Sequence, residues 1–365
     1  MSITHFYASI QKQLEKQLPF VAYRKAGENS IQTFLQKNDT LFKTQDYADT
    51  GFVFAPFDSQ DKAIIIPSEH STYATAIVEL NNTTQTIKDR KVFEHFSNSN
   101  YKSDTVQSIH HNLVTKGIEA ISANHFKKVV LSRCEAIKRP VVDPIELFKR
   151  LLHNYNNAFV YVWYHPKVGT WLGATPETLI KIEDNNFFTM ALAGTQAYVD
   201  TLNVDWGKKE LEEQKMVTSF VVSQLSSIVQ EVQCSDTYTH KAGTLLHLRT
   251  DIKGALKIKN SSIKDIIEVL HPTPAVCGLP KSEAKSFILA NEGYARKYYT
   301  GFLGELNIIR DDKKETNIFV NLRCMELAQD RVKLYVGGGI TKDSDPEKEW
   351  EETVKKTETM KKVLL

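Results

Sequence analysis

The sequence has little of what marks the easily recognised protein classes. Its four cysteines, Cys134, Cys234, Cys277 and Cys324, are scattered, with no pair at the short spacing of a zinc knuckle or a redox dithiol. Neither a disulfide framework nor a structural zinc site is written there, and small thiols in a reducing compartment are expected. There is no HExxH, and the adjacent His110 and His111 point in different directions on a helix. No sign of charge dominates: 46 Lys and Arg against 44 Asp and Glu leave a net charge of +2. That removes the basic field of a nucleic-acid or anionic-membrane binder. Long apolar runs are missing too. The longest, Phe159–Tyr164 and Ala63–Pro67, are strand-sized, far below the ~20 residues of a spanning helix. Lys12, Glu15 and Lys16 interrupt any apolar core of a secretion signal. A cytoplasmic protein is expected, with neither nucleic acid nor membrane as partner.

What is present is an ordinary folded composition, 41% hydrophobic and 25% charged, which excludes disordered and fibrous classes. The 365 residues allow two or three domains, but no repeat, low-complexity tract or Pro/Gly/Ser linker divides them. One large domain over residues 1–365 is therefore expected. Short strand-like runs (Phe20–Arg24, Gly51–Phe57, Ala63–Pro67) precede a helix over Ser103–His125 and a strand over Lys128–Arg133. Asp143-Pro144 opens another helix, as a cap followed by proline in the first turn. Ala158–Tyr164, Gly169–Gly173, Thr178–Ile182 and Phe187–Leu192 read as successive antiparallel strands. A long helix is predicted over Gly207–Gln233, then a strand near His247–Ile252 and helices near Ile263–Leu270 and Ser282–Tyr298. A hairpin (Gly301–Ile309 with Ile318–Leu327), a strand (Val332–Val336) and a helix from about Pro346 complete the chain. Strands grouped between helices, without strict βαβ alternation, give an α+β fold with mostly antiparallel sheet.

Carboxylates stand where apolar residues belong. On the long helix Glu213 shares a face with Val217, Phe220, Gln224 and Ile228, with Glu210 one turn earlier. The plain alternative is a frayed first turn whose glutamates complement the helix dipole. On the last helix Ser344 with Glu347 resembles a capping box, and Glu349, Glu352, Lys356, Met360 and Val363 fall on one face. There the plain alternative is an exposed Glu352–Lys356 pair worth ~0.3–0.5 kcal/mol. Two helices that each present Glu-x-x-Glu suggest more. Converging carboxylates repel unless a cation joins them, and Mg²⁺ prefers oxygen ligands. Directly before the last helix, Val336-Gly337-Gly338-Gly339-Ile340 follows a strand. It offers bare amides to an anion, or simply makes a tight turn. It lacks the Lys-Ser/Thr of a P-loop and the GxGxxG of a dinucleotide fold.

Ten segments in order complete the pattern: Lys128-Val-Val-Leu-Ser-Arg133, Gly173-Ala-Thr-Pro-Glu177, Ala193-Gly-Thr195, Glu210-Leu-Glu-Glu213, His247-Leu-Arg-Thr250, His271-Pro-Thr-Pro-Ala-Val-Cys-Gly278, Arg296-x-x-Tyr299-x-Gly301, Asn321-Leu-Arg323, Gly337-Gly-Gly-Ile340 and Ser344-Asp-Pro-x-x-Glu-Trp-Glu-Glu-Thr353. Together they resemble the chorismate-utilising enzyme family, in particular its isochorismate synthases. The resemblance covers residues 128–356 and leaves 1–105 as a variable amino-terminal part before a motif-bearing part over 106–365. It implies stacked, mostly antiparallel sheets flanked by helices, with a cleft between them for chorismate. It implies Mg²⁺ held by Glu213 and Glu352, with Glu210 and Glu349 close by. Arg323, Tyr299, Lys356 and the amides of Gly337 and Gly338 would hold the substrate's carboxylates. Gly194, Thr195, His247, Ala275 and Gly278 would line the pocket. Two departures stand out: Gln214, where the family commonly has histidine, and Gly338, where it often has alanine.

The resemblance also places Lys128 as base and Glu177 as acid for adding water at C2 while the C4 hydroxyl leaves. Water is a poor nucleophile and hydroxide a poor leaving group, so both catalysts are needed. Lysine at ~10.4 and glutamate at ~4.3 are in the wrong states at pH 7, and each unit of correction asks for ~1.36 kcal/mol from the surroundings. Relatives that use ammonia typically carry glutamine in place of Lys128, so water is the implied nucleophile and no glutamine amidotransferase subunit is expected. Salicylate synthases, which go on to eliminate pyruvate, tend to have threonine in place of Ala275. Isochorismate, bound for menaquinone, a siderophore or salicylate, is thus the expected product. Salicylate synthesis and a non-catalytic metabolite-binding relative stand as alternatives.

Overall fold

The computed structural model describes residues 1–78, 103–138, 143–242, 245–257 and 262–364. Within them the strands form two sheets. The nine-stranded sheet runs, in spatial order, β15 (Gly278–Leu279), β7 (Lys128–Lys138), β19 (Arg331–Ile340), β18 (Cys324–Leu327), β9 (Gly169–Thr175), β8 (Phe159–His165), β1 (Phe20–Arg24), β2 (Ser30–Gln36) and β6 (Ser71–Ile77). The ten-stranded sheet runs β12 (Val229–Cys234), β14 (Leu245–Leu256), β11 (Asn186–Ala197), β10 (Thr178–Glu183), β17 (Lys313–Val320), β16 (Phe302–Arg310), β4 (Gly51–Ala55), β5 (Ala63–Pro67) and β3 (Phe42–Thr44), with β13 (Tyr238–Ala242) also paired to β14. The pairings are antiparallel. Strands from the first eighty residues enter both sheets.

The period of two along each strand sorts side chains into layers. On β8, Phe159, Tyr161 and Trp163 point between the sheets, while Val160 and Val162 join the helix-covered side. On β4, Phe52 and Phe54 face the space between the sheets, and Val53 and Ala55 face the other way. Both faces of these strands are buried, which is why they read as unbroken apolar runs. Each such large side chain contributes about 1.5–3 kcal/mol by leaving water. Helices α1 (Ile3–Glu15), α3 (Pro144–Asn154) and α7 (Pro346–Leu364) cover the outer face of the nine-stranded sheet through Phe6, Phe148, Leu151 and Val363. Helices α4 (Lys208–Leu225) and α5 (Ile263–Leu270) cover the ten-stranded sheet through Val217, Val221 and Ile266. Helices α2 (Ser103–Ser122) and α6 (Lys281–Asn291) pack on β7. No described helix is long and apolar enough to cross a membrane.

Several expectations needed correction: the helix expected over 282–298 ends at Asn291, and the hairpin arm expected over 318–327 is divided between β17 and β18, which lie in different sheets. The helix expected over 207–233 ends at Leu225: Ser226 and Ser227 break it, and the β-branched Val229 and Val232 that follow belong to β12. Its buried stripe is Gln214, Val217, Val221 and Leu225, one position round from the expected face, with Glu213 at its edge. The cap of α7 is Asp345, whose carboxylate accepts from the Lys348 amide at 3.0 Å, while Ser344 donates instead to Glu349 at 2.7 Å. The four strands read as a continuous series over 158–192 are also split. β8 and β9 lie in one sheet, β10 and β11 in the other.

Candidate active site

That split builds the site. The chain crosses from one sheet to the other at Pro176-Glu177, between β9 and β10, and crosses back at Asn321-Leu322-Arg323, between β17 and β18. The two crossovers run side by side. The Val320 amide donates to the Glu177 carbonyl at 3.0 Å, and the Ala174 amide donates to the Arg323 carbonyl at 3.1 Å. Glu177 and Arg323 are thereby delivered to a cleft between the sheets, which Gly194, Thr195, Glu210, Glu213, His247, Ala275, Tyr299, Gly337, Gly338, Glu352 and Lys356 also line.

Lys128, the first residue of β7, is completely buried beneath this cleft, with Nζ 2.7 Å from Glu213 Oε1. Glu177 is also buried. Loss of water pushes its carboxyl up to about 7, and the Lys128 and Arg323 charges pull it back only partway. Glu213 goes the other way. Burial raises it, but Lys128 above all, then Lys209 and Lys356, hold it below the ordinary range. The two carboxyls therefore prefer opposite protonation states. This is the arrangement that separates an acid from a permanent anion.

Arg323 is held rigidly. Its Nη1 donates to the Ala242 carbonyl at 3.0 Å and its Nη2 lies 2.8 Å from His247 Nε2. His247 Nδ1 lies 2.7 Å from the Gly194 carbonyl. Burial first, and then Arg323, push His247 well below its ordinary value. A neutral ring with its proton on Nδ1 donates to Gly194 and accepts from Arg323, so this network assigns the tautomer. Tyr299 is buried and stacks on Tyr335, with centroids 5.6 Å apart. Lys356 Nζ donates to the Gly337 carbonyl at 3.0 Å and pairs with Glu352 at 2.6 Å.

The triple glycine is a matter of space more than of turning. A Cβ on Gly337 would sit 2.8 Å from the Leu131 carbonyl oxygen, 3.0 Å from Ser132 Cβ and 3.1 Å from the Tyr299 hydroxyl. One on Gly338 would sit 3.1 Å from Glu349 Oε2, and one on Gly339 only 2.7 Å from Glu213 Oε1 and 3.1 Å from Lys128 Cε. Three successive bare positions thus admit three functional groups. Alanine at 338 would press on Glu349 here. β18 pairs with β19 no further than Leu334, so beyond it this edge of β19 is open to the cleft. Gln214 is explained as well: its amide donates to the Ala191 carbonyl at 3.0 Å and to Thr250 Oγ1 at 3.1 Å, pinning α4 and its glutamates to the sheet.

Three predicted site residues lie off the lining: Lys128 beneath it, Gly278 and Glu349. Gly278 is behind β7, where a Cβ would meet the Lys128 carbonyl at 2.3 Å. Glu349 is buried beside the cleft, its Oε1 on Lys209 Nζ at 2.7 Å. Sequence reasoning missed Lys209 and the separate need for Gly339. Lys209 precedes Glu210 directly, but its partner Glu349 is far along the chain, so only folding reveals it. Among the described residues no three His, Cys, Asp or Glu side chains stand at metal-holding distance. Lys128, Lys209 and Lys356 instead occupy Glu213, Glu349 and Glu352. Even so, the donors fit a hard cation. All are carboxylate oxygens, and Glu349 Oε2 is buried without a hydrogen-bond partner.

Comparisons with known proteins point one way. The model of a family described as chorismate binding enzyme matches residues 60–365. Isochorismate synthase DhbC of Bacillus subtilis (strain 168) is 29% identical over 271 residues, 69% of this chain and 67% of that protein. The salicylate biosynthesis isochorismate synthase of Pseudomonas aeruginosa is 28% identical over 260 residues, 69% of this chain but 53% of its own length. The match thus spans about two thirds of the first relative and about half of the second. The crystal structure of a DhbC from Bacillus anthracis, described as a 2,3-dihydroxybenzoate-specific isochorismate synthase, shares the fold, with a TM-score of 0.76 at 23% identity over 97% of this chain and 99% of that one.

Proposed function

This chain belongs to the chorismate-binding enzyme family, and from that premise we propose that it converts chorismate to isochorismate. Water adds at C2, the C4 hydroxyl leaves, and the ring's conjugation shifts between them. The observation that carries the proposal is the pair of Lys128 and Glu177 buried at one cleft, with the Glu177 carboxyl raised to about 7. A carboxyl so raised keeps its proton near neutral pH and can deliver it to a departing hydroxyl. Lys128, which must first give up the proton it shares with Glu213, takes a proton from the attacking water as a neutral amine. Arg323, fixed by His247, and Lys356 and Tyr299 provide donors for the substrate's carboxylates.

Glu213 and Glu352, with Glu210 and Glu349 near them, would hold Mg²⁺. When bound, the ion supplies positive charge for the anionic substrate. The orphaned Glu349 Oε2 supports that assignment. Lys128 in place of the glutamine of ammonia-using relatives supports water as nucleophile and action without an amidotransferase subunit. Ala275 in the cleft wall supports release of isochorismate without pyruvate. Free thiols at all four cysteines fit a cytoplasmic location. The product would enter menaquinone, siderophore or salicylate synthesis.

The test is product analysis of the purified chain with chorismate, with and without Mg²⁺ and ammonium. Isochorismate that forms with Mg²⁺ and disappears on chelation is expected. Stoichiometric pyruvate would shift the assignment to salicylate synthesis, and chorismate binding without turnover would make the chain a metabolite-binding relative.

A further inference from the structure

β7 carries Lys128, yet its outer edge is barely covered. Its partner there, β15, pairs only with Lys128 and Val129. The Val130 amide finds the Cys277 carbonyl at 2.7 Å, and beyond that no strand of the described residues continues along this side. The next polar groups of the edge are instead met by side chains. Arg296 Nη2 donates to the Val130 carbonyl at 2.7 Å, and Glu292 Oε1 accepts from the Ser132 amide at 2.8 Å. Glu292 and Arg296, one turn apart, bind each other through Arg296 Nε to Glu292 Oε2 at 2.7 Å and again through Nη2. Both side chains are almost wholly buried, at 1% and 2% exposure.

The pair reaches further into the walls of the cleft. Arg296 Nη1 donates to the Val276 carbonyl at 2.9 Å and to Thr300 Oγ1 at 3.2 Å. The Ser132 hydroxyl donates to Glu292 Oε1 at 2.8 Å and meets the Tyr294 hydroxyl at 2.7 Å. Val130, Val276 and Thr300 all line the cleft. A buried ion pair is a weak source of stability, because an apolar pair of similar volume often serves as well or better. What an apolar pair cannot do is supply a donor and an acceptor to successive groups of one strand edge. Left unmet, each of those backbone groups would be a buried polar atom without a partner.

We infer that Arg296 and Glu292 are positioning residues: their pair replaces a missing strand along β7 and so fixes Lys128 in the cleft opposite Glu177. The catalytic consequence rests on the function proposed above; the replacement of a strand does not. Arg296→Lys keeps the charge but cannot reach Val130, Val276 and Glu292 together. Glu292→Gln keeps the shape but weakens the link to Arg296.

The experiment compares both variants with the parent by amide hydrogen exchange and by steady-state turnover of chorismate. Exchange over residues 129–133 should quicken about tenfold, with β8 unchanged. The kcat should fall about 100-fold while KM stays within about threefold of the parent, as expected for a displaced catalytic group. A merely structural pair would lower the melting temperature without splitting kcat from KM. Unchanged exchange over 129–133 in both variants would overturn the inference, as would quickened exchange with kcat within about twofold of the parent. If Arg296→Lys fails to fold, Glu292→Gln decides the matter alone. If the parent itself does not turn over chorismate, the proposed function fails, and the exchange data still settle whether the pair replaces a strand.

Discussion

The space between the two sheets is filled in opposite ways at its two ends. Around β1, β4, β8 and β16 it is packed with rings. Phe159 lies 4.1 Å from Phe319, and Phe54 lies 4.1 Å from Tyr298, each pair stacked. Around β7, β11 and β19 the same space is lined by Ala193, Gly194, Ala275 and the three glycines 337–339, and charged groups enter it. Tyr335 belongs to both, packed in the aromatic cluster while facing the cleft. The backbone architecture is common to the two ends, so the cleft owes its existence to side-chain size. Where strands carry rings, the sheets are cemented; where they carry little or nothing, room is left for a lysine, four glutamates and a substrate.

Exchanging or damaging the two ends should have separable consequences. The largest effect is expected for Lys128→Ala, which should lower kcat by about 10⁴-fold with chorismate affinity largely retained, measured by stopped assays and equilibrium dialysis. Near-normal activity would show the base to lie elsewhere. At the packed end, Phe159→Ala should destabilise by about 3–5 kcal/mol in denaturant titration yet leave KM for chorismate unchanged. A large KM change would mean that the ends are not independent. Gly339→Ala brings the damage back to the cleft: its methyl would crowd Glu213 and Lys128 and should cost about 100-fold in kcat with little loss of stability. Activity equal to the parent would show that the pair has slack.

The smallest effect is on pH dependence. Glu177 is raised from 4.5 to about 7 by burial, so its acid form predominates below that value. The limb of the rate profile set by this acid should fall as pH rises, reaching about half near pH 7. Stability has the same sign. The folded protein holds a proton that the unfolded chain releases, so stability declines as pH rises between these two values. Glu177→Gln should flatten the melting-temperature profile across that window, and an unchanged slope would assign the titration to another group.

Much of this contrast was legible in the amino-acid order. Apolar runs such as Phe159–Tyr164 gave strands because both of their faces are buried, and Asp143-Pro144 opened its helix as its chemistry requires. Glu-x-x-Glu on two helices pointed to one acidic locus, which the cleft contains. What could not be read was tertiary. Nothing in Thr175-Pro176-Glu177 distinguishes a crossover between sheets from a hairpin turn. The lysines that meet the glutamates come from separate elements: Lys128 with Glu213, and Lys209 with Glu349. Helix α4 stops at Leu225, short of the expected 233, because the β-branched residues after Ser226 and Ser227 favour a strand.

The paired crossovers at 176–177 and 321–323 are covalent ties between the sheets. The chain also passes between the sheets at their far margin, at residues 37–41 and 68–70, where the Lys37 amide donates to the His70 carbonyl at 2.9 Å. Beside the cleft two covalent backbones, laced together by the bonds of Val320 to Glu177 and Ala174 to Arg323, span the divide. The sandwich is thus stitched by backbone both beside the cleft and at its far margin, and the inner stitch sets how far the carboxyl stands from the guanidinium.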